Sequence, residues 1–155
     1  MAHLIDEFVQ ITSALELSRI DYAICGGWAM AIHGLPRATM DIDLMILPDD
    51  LERVWNLAKG KGYDVEGLPL RFADGAIEIR RISKIDHETK LVFTIDLLLV
   101  TRDIDDVWVD RELVKWEDGK TWVVSIEGLI KLKSISGREQ DLLDIKNLKG
   151  IKYES

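Results

Sequence analysis

Cysteine and surplus positive charge are scarce in this chain, and no apolar run is long. Among its 155 residues there is a single cysteine, Cys25. No internal disulfide is therefore possible, which fits a reducing cytoplasm. Cys25 stands in an apolar run, where a small buried packing role is expected before a nucleophilic one. Lys and Arg number 20 against 28 Asp and Glu, for a net charge of −8. A general nucleic-acid coat would need a basic surface, so that class is excluded, although a local basic groove is not. No apolar segment approaches membrane-spanning length, and residues 1–10 lack the basic, apolar pattern of a secretion signal. There is no internal repeat and no low-complexity linker. The length and the 47% apolar content fit one domain spanning 1–155.

The informative stretch runs from Gly26 to Leu44. A glycine pair, Gly26 and Gly27, follows a short apolar run and precedes a brief helical segment. Asp41 and Asp43 then stand one residue apart in a second apolar run. Alternate strand residues share a face, so the two carboxylates project together. Side by side on a buried strand they repel and are costly to ionise. A hard divalent cation removes that cost, and oxygen ligands suit Mg²⁺. The glycines can bring backbone N–H groups close to a polyphosphate at a helix start.

The remaining pattern predicts a mixed α/β (α+β) sheet with flanking helices and a C-terminal helical pair, not a regular βαβ winding. Leu4, Phe8, Ile11 and Leu15 repeat at helical spacing. Asp21–Cys25 and Met40–Leu47 read as strands, with a short helix from Trp28 to His33 between them. Asp49 or Asp50 can cap a helix that turns Leu51, Val54, Trp55 and Ala58 inward and ends at Gly60 and Gly62. Tyr63–Val65, Arg71–Ala73, Ala76–Ser83 and Leu91–Val100 read as strands, with a turn at Asp74-Gly75. Leu113–Trp116 and Thr121–Val124 read as a hairpin around Asp118-Gly119. Ser125 precedes a helix with Ile126, Leu129, Ile130 and Leu132 inward. Gly137 interrupts it, and Leu142, Ile145 and Leu148 continue a second helical face.

Metal-assisted phosphoryl and nucleotidyl transfer needs a further acid near the pair, since two ions clamp the attacking and leaving oxygens. Asp96 stands in a run that is apolar on both faces, as a central strand would be. A lone carboxylate there would be expensive, so Asp96 is expected to join Asp41 and Asp43. The alternative is that Asp96 is the buried partner of a nearby arginine. Glu78 competes for the same role, but it alternates with apolar neighbours as an outward-facing residue does.

These residues resemble the nucleotidyltransferase superfamily typified by DNA polymerase β. The superfamily pattern is an apolar residue, Gly-Gly or Gly-Ser, a spacer, Asp-x-Asp, and a later acid on a neighbouring strand. Gly26, Gly27, Asp41, Asp43 and Asp96 match it, and the likeness runs from about Tyr22 to Leu148. Arg37, Thr39 and the set Lys133, Arg138 and Asp141 look closest to small bacterial abortive-infection toxin-like members. Lincosamide and aminoglycoside nucleotidyltransferases carry a similar Gly-Gly-Trp-Ala opening.

The resemblance implies a nucleotidyltransferase that moves an NMP from an NTP, such as ATP, to an acceptor hydroxyl with release of pyrophosphate. It implies two Mg²⁺ or Mn²⁺ ions on Asp41, Asp43 and Asp96. Gly26, Gly27, Arg37, Lys133, Arg138 and Asp141 are then the nucleotide-binding candidates. Many relatives carry an extra helical domain, so the acceptor here is small or another subunit completes the site. A toxin–antitoxin component acting on tRNA or protein, with a helical partner protein, is one expectation. An antibiotic-modifying enzyme and an inactive nucleotide-binding module are the others. His33 and Trp28 read as a helix-end and a packing residue, Thr39 as a turn residue, and Arg80, Arg81 and Lys84 as a small basic patch.

Overall fold

In the computed structural model, residues 3–36, 39–116 and 119–154 are described. Arg37, expected at the phosphate site, and Asp118, expected in the hairpin turn, lie outside them. The opening amphipathic segment forms α1 (Leu4–Leu17), burying Phe8, Ile11 and Leu15. β1 (Ala23–Cys25) leads directly into α2 (Gly26–Ile32). The glycines thus lie inside the first turn of α2, whereas the sequence predicts a helix only from Trp28. β2 (Asp41–Ile46) carries the acid pair, and α3 (Leu51–Lys59) follows a single 3-10 turn at Pro48–Asp50. Asp50 takes the cap position of α3, but its side chain makes no capping bond.

Four strands follow: β3 (Val65–Glu66), β4 (Leu70–Phe72), β5 (Ile77–Ile85) and β6 (Val92–Leu99). Between β4 and β5 the chain turns through Ala73, Asp74 and Gly75, all at positive φ. α4 (Asp105–Val109) went unforeseen in the sequence, its five residues being too few to show a period. β7 (Glu112–Trp116) and β8 (Gly119–Val123) form the expected hairpin. α5 (Ile126–Ser136) is capped by Ser125 Oγ, which accepts from the Gly128 N–H at 3.0 Å. Gly137, at φ 66°, ends it in the left-handed region. α6 (Glu139–Glu154) completes the chain. Its inward face differs from the expected one. Asp141, Asp144 and Leu148 are buried while Leu142 is 62% exposed, because both acids turn toward Lys133 on α5.

The described strands make one sheet in the order β3-β5-β6-β2-β1-β8-β7, with β4 also paired to β5. β2 runs parallel to β6 and antiparallel to β1, while β5 runs antiparallel to β6. Period two then sorts the central strands. Ile42, Leu44, Ile46, Ile95, Leu97 and Leu99 enter the buried core, which also takes side chains of α1 and α3. Asp41, Asp43 and Asp96 take the other face. Trp28 stacks on Phe8 with ring centroids 4.2 Å apart, and His33 ends α2 with Nε2 at 2.8 Å from the Val124 carbonyl. Among the described residues no helix is long and apolar enough to cross a membrane.

Candidate active site

Strand register assembles the site. Asp43 on β2 lies opposite Cys25 on β1 and Asp96 on β6, and Asp96 lies opposite Arg81 on β5. All of them open onto one cleft of about 700 Å³. Asp41, Gly26, Gly27, Thr39, Lys133, Arg138 and Asp141 line it too. Glu78 falls on the opposite face of β5, where it pairs with Arg71 at 3.3 Å. Of the two candidates for third acid, only Asp96 is brought beside the pair.

Gly26 is held at φ 65°. A Cβ there would stand 1.9 Å from Asp43 Oδ2, so no other residue fits without moving the acid. The Gly27 N–H donates to Asp43. The glycine pair therefore seats the carboxylate as well as opening the helix, a role the sequence did not suggest. At Gly27 a Cβ would stand 3.0 Å from Thr39 Cβ. Thr39 braces the entry to β2, its Oγ1 lying 3.3 Å from the Asp41 N–H and 3.2 Å from the Asp41 carbonyl.

Electrostatics mark the acids as a set. Burial, then the charges of Asp96 and Asp41, push Asp43 up to about 7, against the pull of Arg81 and the Gly27 amide. Burial and Asp96 also raise Asp41. Burial, then the charges of Asp43 and Asp96, push the Cys25 thiol well up, which with its burial suits packing and not nucleophilic attack. Asp96 is answered by Arg81, whose Nε and Nη2 donate to its two oxygens at 2.7 and 3.0 Å. The alternative, Asp96 as the buried partner of a nearby arginine, is thus present together with the acid pair.

Arg81 is the functional-face residue that sequence reasoning misassigned. The expected patch of Arg80, Arg81 and Lys84 does not form. Lys84 and Arg81 lie on opposite faces of β5, and Lys84 pairs with buried Glu7. The signal was available: Ile77, Ile79 and Arg81 share one alternation, and that face meets Asp96.

Opposite the sheet, α5 and α6 present a linked set. Lys133 Nζ lies 2.8 Å from Asp144 and 3.6 Å from Asp141. The Arg138 side chain and backbone N–H both donate to Asp141, at 2.9 and 3.1 Å. Burial works to raise Asp141, but its bonds from Arg138 and Ser136 overcome it and hold the acid below its usual range. Asp141, at the cleft wall, is thus engaged by Arg138 and Lys133.

The donor set fits a hard divalent cation. Two carboxylates share a face, a third stands in register, and their mutual repulsion is only partly offset by protein cations. Among the described residues no three acids form a ready-made metal cage, because Asp96 is turned onto Arg81.

Comparison with known proteins follows this geometry. A family model described as aminoglycoside-2''-adenylyltransferase matches residues 7–148. Curated proteins give no match. Solved structures share the fold. A candidate nucleotidyltransferase of Thermotoga maritima is 13% identical at a TM-score of 0.64, covering 97% of this chain and 93% of that one. The lincosamide antibiotic adenylyltransferase LnuA, solved with lincomycin bound, is 20% identical at 0.60, covering 94% and 96%. ANT(2'')-Ia, solved with adenylyl-2''-tobramycin, is 12% identical at 0.58, covering 93% and 86%.

Proposed function

The chain belongs to the aminoglycoside-2''-adenylyltransferase family and is a nucleotidyltransferase, and from that premise we propose that it transfers an NMP from an NTP to a hydroxyl of a small molecule. The observation that carries this reading is the shared face of Asp41, Asp43 and Asp96 beside the glycine-opened helix. The acceptor oxygen attacks the α-phosphorus, the bond to the β-phosphate oxygen breaks, and pyrophosphate leaves. Asp96 accepts the hydroxyl proton. Asp41 and Asp43, with Asp96, would hold Mg²⁺ or Mn²⁺. Bound there, such ions neutralise the phosphates and stabilise both the attacking and leaving oxygens. The start of α2, opened by Gly26 and Gly27, lies toward the β- and γ-phosphates, with the Gly27 N–H held by Asp43, and Lys133 and Arg138 close over them as point charge and fork. Asp141 and Asp144 keep those two cations aimed. Catalysis is then positioning and charge stabilisation, without a covalent intermediate.

Two features support a small-molecule acceptor: the family itself, and the antibiotics in the LnuA and ANT(2'')-Ia structures. No observation favours tRNA, a toxin–antitoxin role or a helical protein partner over it. The test is incubation with each α-labelled triphosphate, Mg²⁺ and the small-molecule fraction of a cell extract. Metal-dependent pyrophosphate release that Asp43→Asn abolishes is expected. Release untouched by that substitution, or no triphosphate bound at all, would overturn the reading and leave an inactive module.

A further inference from the structure

The cleft has two unlike ends. Lys133 and Arg138 line it from α5 and the α5–α6 link, beside Leu129 and Leu132, and Gly26 and Gly27 line it from α2. Past Asp96, on the β4–β5 side, the lining changes to Leu70, Phe72, Ile77, Ile79 and Leu98. Register explains the wall. Leu70 pairs with Ile79 and Phe72 with Ile77, so all four side chains share the face that holds Arg81 and Asp96. Leu70 and Phe72 remain 44% and 41% exposed, two large apolar side chains open to solvent at the mouth of a polar site.

Direction then assigns the wall. In nucleotidyl transfer the attacking and leaving oxygens lie in line through the α-phosphorus. If pyrophosphate leaves toward Lys133 and Arg138, the hydroxyl enters from the opposite side, across Asp96. That side is the apolar wall. We infer that β4 and β5 form the acceptor subsite, and that it takes a hydroxyl compound with an apolar face, uncharged or singly charged, in place of a polycationic amino sugar. The inference rests on the proposed nucleotidyl transfer and names its substrate class.

Charge supports the choice. Among the described lining residues Asp96 is neutralised by Arg81, and Asp141 by Arg138 and Lys133. Asp41 and Asp43 are committed to the metal and triphosphate by the proposed transfer. Within β4 and β5 the one acid, Glu78, lies on the opposite face and is paired with Arg71. Holding several ammonium groups here would leave them without carboxylates while covering exposed leucine and phenylalanine, which is doubly unfavourable. An apolar ring against Phe72 and Leu70, with its hydroxyl at Asp96, satisfies both ends.

The test uses the full chain with Mg²⁺ and the unreactive analogue α,β-methylene-ATP. Phenyl β-D-glucoside is the apolar-faced probe and a glucosamine tetramer the polycationic one, both followed by saturation-transfer NMR. Expected is saturation of the phenyl protons, with affinity about tenfold weaker in Phe72→Ala and Leu70→Ala, as loss of one apolar contact surface implies. Analogue affinity should stay unchanged in both variants, and Phe72→Leu should restore most phenyl binding. Both side chains are half open to solvent, so the fold tolerates the changes. Tighter binding of the tetramer, or phenyl saturation indifferent to both substitutions, overturns the subsite. So does absence of phenyl saturation while the analogue binds. A wall closed by a second copy of the chain, dissociating in Phe72→Asp, overturns it as well. Failure of the analogue to bind, with phenyl saturation intact, instead overturns the nucleotide reading and the word acceptor with it.

Discussion

Arg81 on β5 and Asp96 on β6 face each other across the strand pair, the guanidinium reaching both carboxylate oxygens at 2.7 and 3.0 Å. Asp96 also lies in register with Asp43, so the arginine is the protein's own answer to a third negative charge. A metal ion at the acids would compete for the same oxygens. Arg81→Met should therefore destabilise the metal-free protein by about 1–3 kcal/mol, the range for leaving a buried acceptor without its donor, lowered by the exposure of the arginine. Added Mn²⁺ should then raise the melting temperature more in the variant than in the parent. Equal metal-induced shifts in the two proteins would show that Arg81 does not offset the acid charge.

The acid pair is tested by charge at constant volume. Asp43 is seated by Gly27 and surrounded by Asp41 and Asp96, and its charged form is disfavoured by burial and by both neighbours. Asp43→Asn should abolish transfer yet leave the metal-free protein at least as stable, since the repelled charge is gone. Glu78→Gln, on the far face, should keep most activity. Assays of pyrophosphate release beside thermal melts decide this, and an active Asp43→Asn would remove the acid from the mechanism.

Gly26→Ala is expected to be worse than its size suggests. The new Cβ would enter Asp43 at 1.9 Å, and alanine resists φ 65° by roughly 1–2 kcal/mol. Displacement of Asp43 should cost activity beyond the loss in melting temperature. Gly27→Val meets Thr39 instead, and should weaken triphosphate binding more than folding. Calorimetry showing unaltered triphosphate affinity in a folded Gly27→Val protein would place the phosphate cradle elsewhere.

Much of this was legible because period two and period 3.6 were clean. Asp41 and Asp43 alternate in an apolar strand, Asp96 interrupts a run apolar on both faces, and Ser125 and Gly137 punctuate α5. What escaped depends on strand register and on contacts between elements. Arg81 reads as one of three nearby cations until the register with Asp96 is known. The glycines read as a phosphate cradle, and nothing local adds that Gly26 also leaves the space Asp43 occupies. Leu142 fits a helical period, but the ion pairs of Asp141 and Asp144 with α5 rotate that period outward, a tertiary effect that no local pattern carries.

The α5–α6 ion set yields the pH-dependent expectation. Asp141 is buried, and despite that burial its bonds from Arg138 and Ser136 hold it below the usual value of 3.8. A folded-state value below the unfolded one means stability that is present above about pH 4 and lost as pH falls through the lower folded value. Asp141→Asn should therefore cost about 1–3 kcal/mol at neutral pH, and the gap to the parent should close in acid. Lys133 keeps its 2.8 Å contact with Asp144, so the substitution releases Arg138 first. The triphosphate KM should then rise less in Asp141→Asn than in Lys133→Met, which removes a phosphate-facing charge outright. Denaturant melts across pH, beside triphosphate titrations of both variants, check the two halves separately. A gap between Asp141→Asn and its parent that persists undiminished below pH 3 would mean that packing, not charge, is what Asp141 supplies.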